Sequence, residues 1–155
     1  MEIVHKPTVG IELDGQMLTW GMERHDLRNA LDEPFKEINH VHVISGYLPD
    51  FNDLVVRKDV YRNYRGRGIS FTLIYDKDDI FSEFELQEGE ALLVSDVKID
   101  FRKNVFDLVA ELERMGYHPV ELEGSAENIL ISSLLTNFAS SDHLGGNGKQ
   151  VAYIY

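Results

Sequence analysis

The stretch IDFRKNVFDLVAELERMGYHPVELE, residues 99–123, decides how the rest of the chain is read. Val105, Leu108, Val109, Leu112 and Met115 fall at the i, i+3, i+4, i+7 spacing that lines up apolar side chains on one face of an α-helix. Asp107, Glu111, Glu113 and Arg114 lie opposite. Asn104 or Asp100 is suited to accept a backbone N–H as N-cap, and Gly116 supplies the left-handed residue that closes the last turn. Pro119 cannot continue a helix but is tolerated at the start of a strand. The pattern is one amphipathic helix, over about 104–115, laid on a sheet.

Outward from this helix, the clearest β signal is a hairpin. Gly68–Tyr75 alternates large apolar residues at 69, 71 and 73. Ile80–Leu86 sets Ile80, Ser82, Phe84 and Leu86 against Phe81, Glu83 and Glu85, and Asp76-Lys77-Asp78-Asp79 supplies the reversal. Ala91–Val94 is a short apolar run leading into the helix. Towards the N-terminus, Val9, Ile11 and Leu13 alternate with polar residues within a strand region over 4–16, and Asp14-Gly15 is a turn signal. Leu27, Ala30 and Leu31 mark a second helix over about 23–32, stopped before Pro34. His40–Ile44 reads as a strand, whereas 50–67, with Asn63, Gly66 and Gly68 near its end, reads as loop. After the central helix, 118–122, 128–138 and 150–155 are expected strands, although 129–135 could be helical on periodicity alone, and the glycine-rich 140–149 is expected to be a loop. The expected fold is α+β, a mostly antiparallel sheet with two helices on one face. It is organised either as one compact domain over 1–155 or as two similar units in tandem, about 1–90 and 91–155.

Composition restricts function. The chain has 155 residues and a formal charge of −12, from 27 acidic and 15 basic residues, and it contains no cysteine. Disulfides and thiolate metal sites are therefore excluded. An acidic surface of this size repels nucleic acid and anionic membrane and attracts basic partners. The N-terminus lacks an apolar run of signal-peptide length, and no stretch approaches the roughly 20 apolar residues that span a bilayer. A soluble, cytoplasmic protein without cofactor or membrane association is the expectation.

The segment Trp20-Gly21-Met22-Glu23-Arg24-His25-Asp26-Leu27-Arg28-Asn29-Ala30-Leu31 resembles the entry helix of small helix-then-antiparallel-sheet domains, the group of β-lactamase-inhibitor-like tandem proteins and outer-membrane-assembly lipoproteins. The hairpin around Tyr75-Asp76 and the helix at 104–115 follow in the order such a protein would show. Glu23 stands where a capping Ser or Thr is more typical, and the lipoprotein cysteine is absent. The resemblance implies non-catalytic binding domains and transfers no functional residue.

Catalytic and ligand motifs are sparse. There is no G-x-S-x-G elbow, and neither Gly66-Arg67-Gly68 nor Gly145-Gly146-Asn147-Gly148 opens a helix as a phosphate loop must. The Ser132-Ser133 and Ser140-Ser141 pairs read as strand and loop residues. His40 and His42 project from the same face of a strand and could share a metal, with a third ligand from His25, His118 or His143, but two such histidines need no ion. Asp76, Asp78 and Asp79 lack the twelve-residue calcium pattern and read as a solvated turn. The unusual segment is 57–67, which holds five of the fifteen basic residues and two tyrosines. Arg62, Tyr64, Arg65 and Arg67 suit phosphate pairing and base stacking. The remainder of the chain carries −16, however, so the basic loop is expected to pair with the protein's own carboxylates.

These features favour a non-enzymatic protein-binding domain, in concrete form an immunity or inhibitor protein against a basic partner. The expected docking face is Glu83 and Glu85 around an exposed Phe81. The alternatives are a small enzyme with an unrecognised carboxylate or histidine site, or an accessory subunit.

Overall fold

The structure, a computed structural model, describes residues 2–89, 91–95, 97–121, 128–140 and 151–154. The chain opens with three short strands, β1 (Ile3–Lys6), β2 (Gly10–Leu13) and β3 (Gln16–Thr19), followed by helix α1 (Arg24–Leu31). Four longer strands follow: β4 (Lys36–His42), β5 (Leu54–Tyr61), β6 (Ser70–Tyr75) and β7 (Phe81–Glu88). The hairpin β8 (Ala91–Val94) and β9 (Val97–Asp100) leads into helix α2 (Val105–Arg114). The remaining strands are β10 (Val120–Glu121), β11 (Asn128–Ile131), β12 (Thr136–Ser140) and β13 (Val151–Ile154).

The strands form two sheets rather than the single sheet expected. One has five strands in the order β3-β2-β1-β8-β9, and the other eight in the order β10-β11-β12-β13-β7-β6-β5-β4. Among the described residues every strand pairing is antiparallel except that of β1 with β8. The fold is therefore α+β with mostly antiparallel sheet.

Local chemistry explains the elements. Asp14 and Gly15 both take positive φ, the geometry that a two-residue reversal between twisted strands requires. At Gly10 a Cβ would lie 2.0 Å from the Leu18 carbonyl oxygen, so only glycine lets β2 and β3 approach this closely. α2 is capped by Asn104, whose side chain accepts from the Phe106 N–H, and Gly116 adopts φ 90° beyond its end. Val105, Leu108 and Leu112 are buried and Val109 packs against the core. Met115 departs from expectation. It sits at the C-cap, where the helical spacing stops, and is 42% exposed.

Buried side chains from both sheets and both helices form one contiguous cluster, among them Ile3, Leu18, Leu31, Phe71, Leu86, Ile99, Leu112 and Phe138. At about 25 cal/mol per Å² of apolar surface, this burial is the main drive to fold.

Two strand expectations fail for identifiable reasons. Residues 54–61 form an eight-residue strand, not a loop, because β4 pairs along one side and β6 along the other. The segment 128–138 is broken by a 3-10 turn at Ser132–Leu134, followed by Leu135 at φ 48°. The expected loop over 140–149 lies outside the described residues from 141 onward.

Candidate functional site

Helix α1 presents Arg24, Leu27 and Leu31 to the interior, so a guanidinium occupies one position of its buried stripe. The charge is met by Asp59 on β5. Arg24 donates to the Asp59 carboxylate from Nε and, at 2.6 Å, from Nη2; Arg28, one helical turn on, donates from Nε and Nη2 at 2.8 Å. The Tyr75 hydroxyl adds a further donor at 3.0 Å. Arg24 also donates to Asn39, Asp79 and the Lys58 carbonyl, and Arg28 to Glu37. The guanidinium carbons of Arg24 and Arg28 lie over the rings of Tyr75 and Phe35 at 4.7 and 4.4 Å. Burial opposes ionisation of Asp59, but the hydrogen bonds from Arg28 and Arg24 outweigh it and hold the carboxyl below its ordinary range. Burial also works against the charge of Arg24, yet its contacts with Asp59 and Asp79 leave its pKa raised. A carboxylate accepting this many donors has no free lone pair with which to act as a base. The network joins α1 to β4, β5 and the β6–β7 turn and is structural.

The same network absorbs the acidic turn. Asp76 Oδ1 accepts from the N–H groups of Asp78 and Ile80, and Asp79 accepts from Arg24 and Arg57. These carboxylates shape the turn.

The nominated docking face is corrected at its centre. Phe81 is 1% exposed and packs on Trp20 with ring centroids 4.7 Å apart. The cause is a β-bulge. Ile74 pairs with Glu83 but Tyr75 pairs with Phe81, so Ser82 is an extra residue and the alternation reverses across it. Phe84 and Leu86 face the core as expected, Glu83 is exposed and Glu85 half-buried. An acidic row remains without its exposed aromatic.

The basic segment is also dispersed. Tyr64 is buried against Phe71 and cannot stack on a base, Arg65 faces Glu33 at 3.9 Å, and Arg67 pairs with Asp14 at 3.1 Å. Arg62 is exposed. His40 and His42 do share a face, with their Nε2 atoms 2.7 Å apart on the outermost strand of the large sheet. His25 lies instead beside Glu23 and Asp26 in an exposed group.

Two features were not anticipated. The first is the far end of the β4–β5 hairpin. Val41, Val43, Tyr47, Leu48, Phe51 and Leu54 are all exposed within fourteen residues, although the connection is ordered on itself. Asp53 Oδ1 accepts from the Ile44 and Ser45 N–H groups and the Ser45 hydroxyl, and the Ile44 carbonyl accepts from Tyr47 and Leu48. The hydrogen bonds from Ser45 hold the Asp53 carboxyl below its ordinary range. A loop closed at its neck that turns large apolar groups outward is a built surface.

The second is a cleft of about 310 Å³ whose walls include His5, Trp20, Ser82, Glu83, Phe84 and Thr136. His5 Nδ1 lies 3.0 Å from Thr136 Oγ1, which itself lies 2.9 Å from the Leu134 carbonyl. The threonine hydrogen must go to that carbonyl, so Nδ1–H is the donor to Thr136 and Nε2 carries the lone pair. Burial lowers the His5 pKa, consistent with a neutral ring.

No family model, curated protein or solved structure matches this chain. The reading of its function therefore rests on its own surface.

Neither unanticipated feature has a local sequence signature. The hairpin's apolar residues were visible, but without a known β5 they had no surface to belong to. His5 and Thr136 are 131 residues apart.

Proposed function

We propose that this chain is a non-enzymatic protein-binding domain that docks on a basic protein, with an immunity or inhibitor role against a cationic toxin as its concrete form. The observation that carries this is the exposed apolar end of the β4–β5 hairpin on a chain of net charge −12. Across the β4–β5 hairpin, residues 36–61, Lys36, Arg57 and Lys58 stand against Glu37, Asp50, Asp53 and Asp59, a net charge of −1, so the hairpin is a nearly neutral apolar prominence on an acidic protein. The long-range field speeds encounter with a cationic partner, while Tyr47, Leu48 and Phe51 supply the area whose desolvation slows release. This arrangement replaces Phe81 as the anchor and leaves Glu83 and Glu85 as contributors to the field.

The test is capture from an extract of the source cell, using the native chain and a Tyr47→Ser/Leu48→Ser/Phe51→Ser variant in parallel. A basic protein retained by the first and lost by the second supports the reading. Equal retention by both removes the hairpin from it.

The cleft favours a second reading, a small enzyme using His5 as a base. Turnover of a broad substrate panel that disappears in a His5→Gln variant would support it over the binding role.

A further inference from the structure

We propose that His40 and His42 form half of a transition-metal site, which a second copy of the chain completes by pairing edge to edge along β4. β4 is the outermost strand of the large sheet, and among the described residues β5 is its sole strand neighbour. Its register with β5 runs unbroken from Lys36 to His42, and every residue in it except Ile38 is exposed. Sheet edges are ordinarily protected by charge, proline, a bulge or shortness. From Ile38 to His42 this strand carries no Asp, Glu, Lys, Arg or Pro, and no bulge interrupts it.

The histidines add a ligand set to that open edge. They project from one face, with ring centroids 4.4 Å and Nε2 atoms 2.7 Å apart, so in the metal-free chain one Nε2–H donates to the other ring's lone pair. With both rings neutral and their hydrogens on Nδ1, both Nε2 lone pairs are available to an ion instead. A tetrahedral ion about 2.0–2.1 Å from each requires them to part only to about 3.3 Å. Val56 and Leu54 stand opposite on β5, so the adjoining strand supplies no third ligand.

A second β4 supplies the missing pair. Antiparallel pairing about a two-fold axis at Val41 sets each copy's His40 opposite the other's His42, at the Cβ spacing of about 4.5–5.5 Å that cross-strand neighbours have. Four imidazoles then share one face, a neutral set that suits tetrahedral Zn²⁺. On the opposite face the two Val41 side chains, each 55% exposed in the single chain, cover one another. The formal charge of −12 on each chain opposes the pairing, and the cation supplies the attraction that the bare edge lacks. Tyr47, Leu48 and Phe51 lie in the connection beyond the paired residues, so this edge and the docking surface are tested separately.

The full chain, stripped with EDTA, is titrated with ZnCl2 and followed by sedimentation velocity, with MgCl2 as the control that carboxylates but not imidazoles would bind. The expected result is a doubling of mass that saturates at one Zn²⁺ for two chains, reverses with EDTA and does not occur with Mg²⁺. His40→Gln/His42→Gln, a change at two exposed positions, should abolish it. Val41→Lys leaves both histidines in place but sets like charges against each other at the axis, and should weaken the zinc-dependent dimer by about tenfold or more. The proposal is overturned by an unchanged mass with Zn²⁺, by equal dimerisation with Mg²⁺, or by a dimer that survives His40→Gln/His42→Gln. A zinc-dependent dimer indifferent to Val41→Lys also overturns it, because the ion would then bridge two chains whose strands do not pair.

Discussion

Arg24 and Asp59 meet at 2.6 Å with side chains 6% and 0% exposed, the one place where α1 commits a full charge to the interior. Arg28, Tyr75 and Asp79 complete the set, so the pair is neutralised and hydrogen-bonded on both sides. Removing one member leaves the other desolvated. Asp59→Leu should therefore cost about 3–5 kcal/mol in urea unfolding, because two guanidiniums lose their carboxylate. A loss below about 1 kcal/mol would show that water or another acid replaces Asp59.

The same carboxylate sets an acid limit. Its folded pKa lies below the unfolded value of about 3.9, so its contribution is fully present above that value and is lost as pH falls through the folded pKa. The urea midpoint of the native chain should fall steeply below about pH 4. In Asp59→Leu the descent over the same window should be shallower. Parallel curves for the two proteins would remove Asp59 from the acid transition.

α2 gives a positional contrast. Leu112 is fully buried, whereas Met115 lies partly in solvent. Leu112→Asp should destabilise by about 3 kcal/mol or more, through an unpaired charge in the core, and Met115→Asp by less than about 1 kcal/mol. Thermal melts of the two variants check this directly. Equal losses would mean that the helix is rotated from the face described.

The exposed basic loop should matter little. Arg65 and Arg67 form surface pairs with Glu33 and Asp14. Changing Arg62, Arg65 and Arg67 to Gln should lower stability by less than about 1 kcal/mol at low salt, and added salt should erase the difference. A difference that persists at high salt would point to packing of the arginine stems.

Sequence periodicity was sufficient for α2, where three apolar residues and an Asn cap agree, and for the β6–β7 hairpin, where Asp76 to Asp79 supply the turn. It was insufficient for β5. Arg57 and Asp59 look like loop residues because the groups that neutralise them, Asp79, Arg24 and Arg28, lie 20 or more residues away. The bulge at Ser82 hid the burial of Phe81, since a single inserted residue reverses a strand's faces without altering its composition. Gln16 reaches the Ala30 carbonyl and His5 reaches Thr136 by the same kind of distant closure. Charge and the scarcity of catalytic motifs were legible because they do not depend on where the chain folds.

The proposed role has the β4–β5 hairpin holding a basic partner that the acidic surface attracts. The most direct measurement is the kinetics of the captured protein, purified, binding to the native chain and to Tyr47→Ser/Leu48→Ser/Phe51→Ser at several salt concentrations. Association should slow with salt equally for both chains, and dissociation should be at least about tenfold faster for the variant. Indistinguishable dissociation from the two chains, or association indifferent to salt, would contradict it.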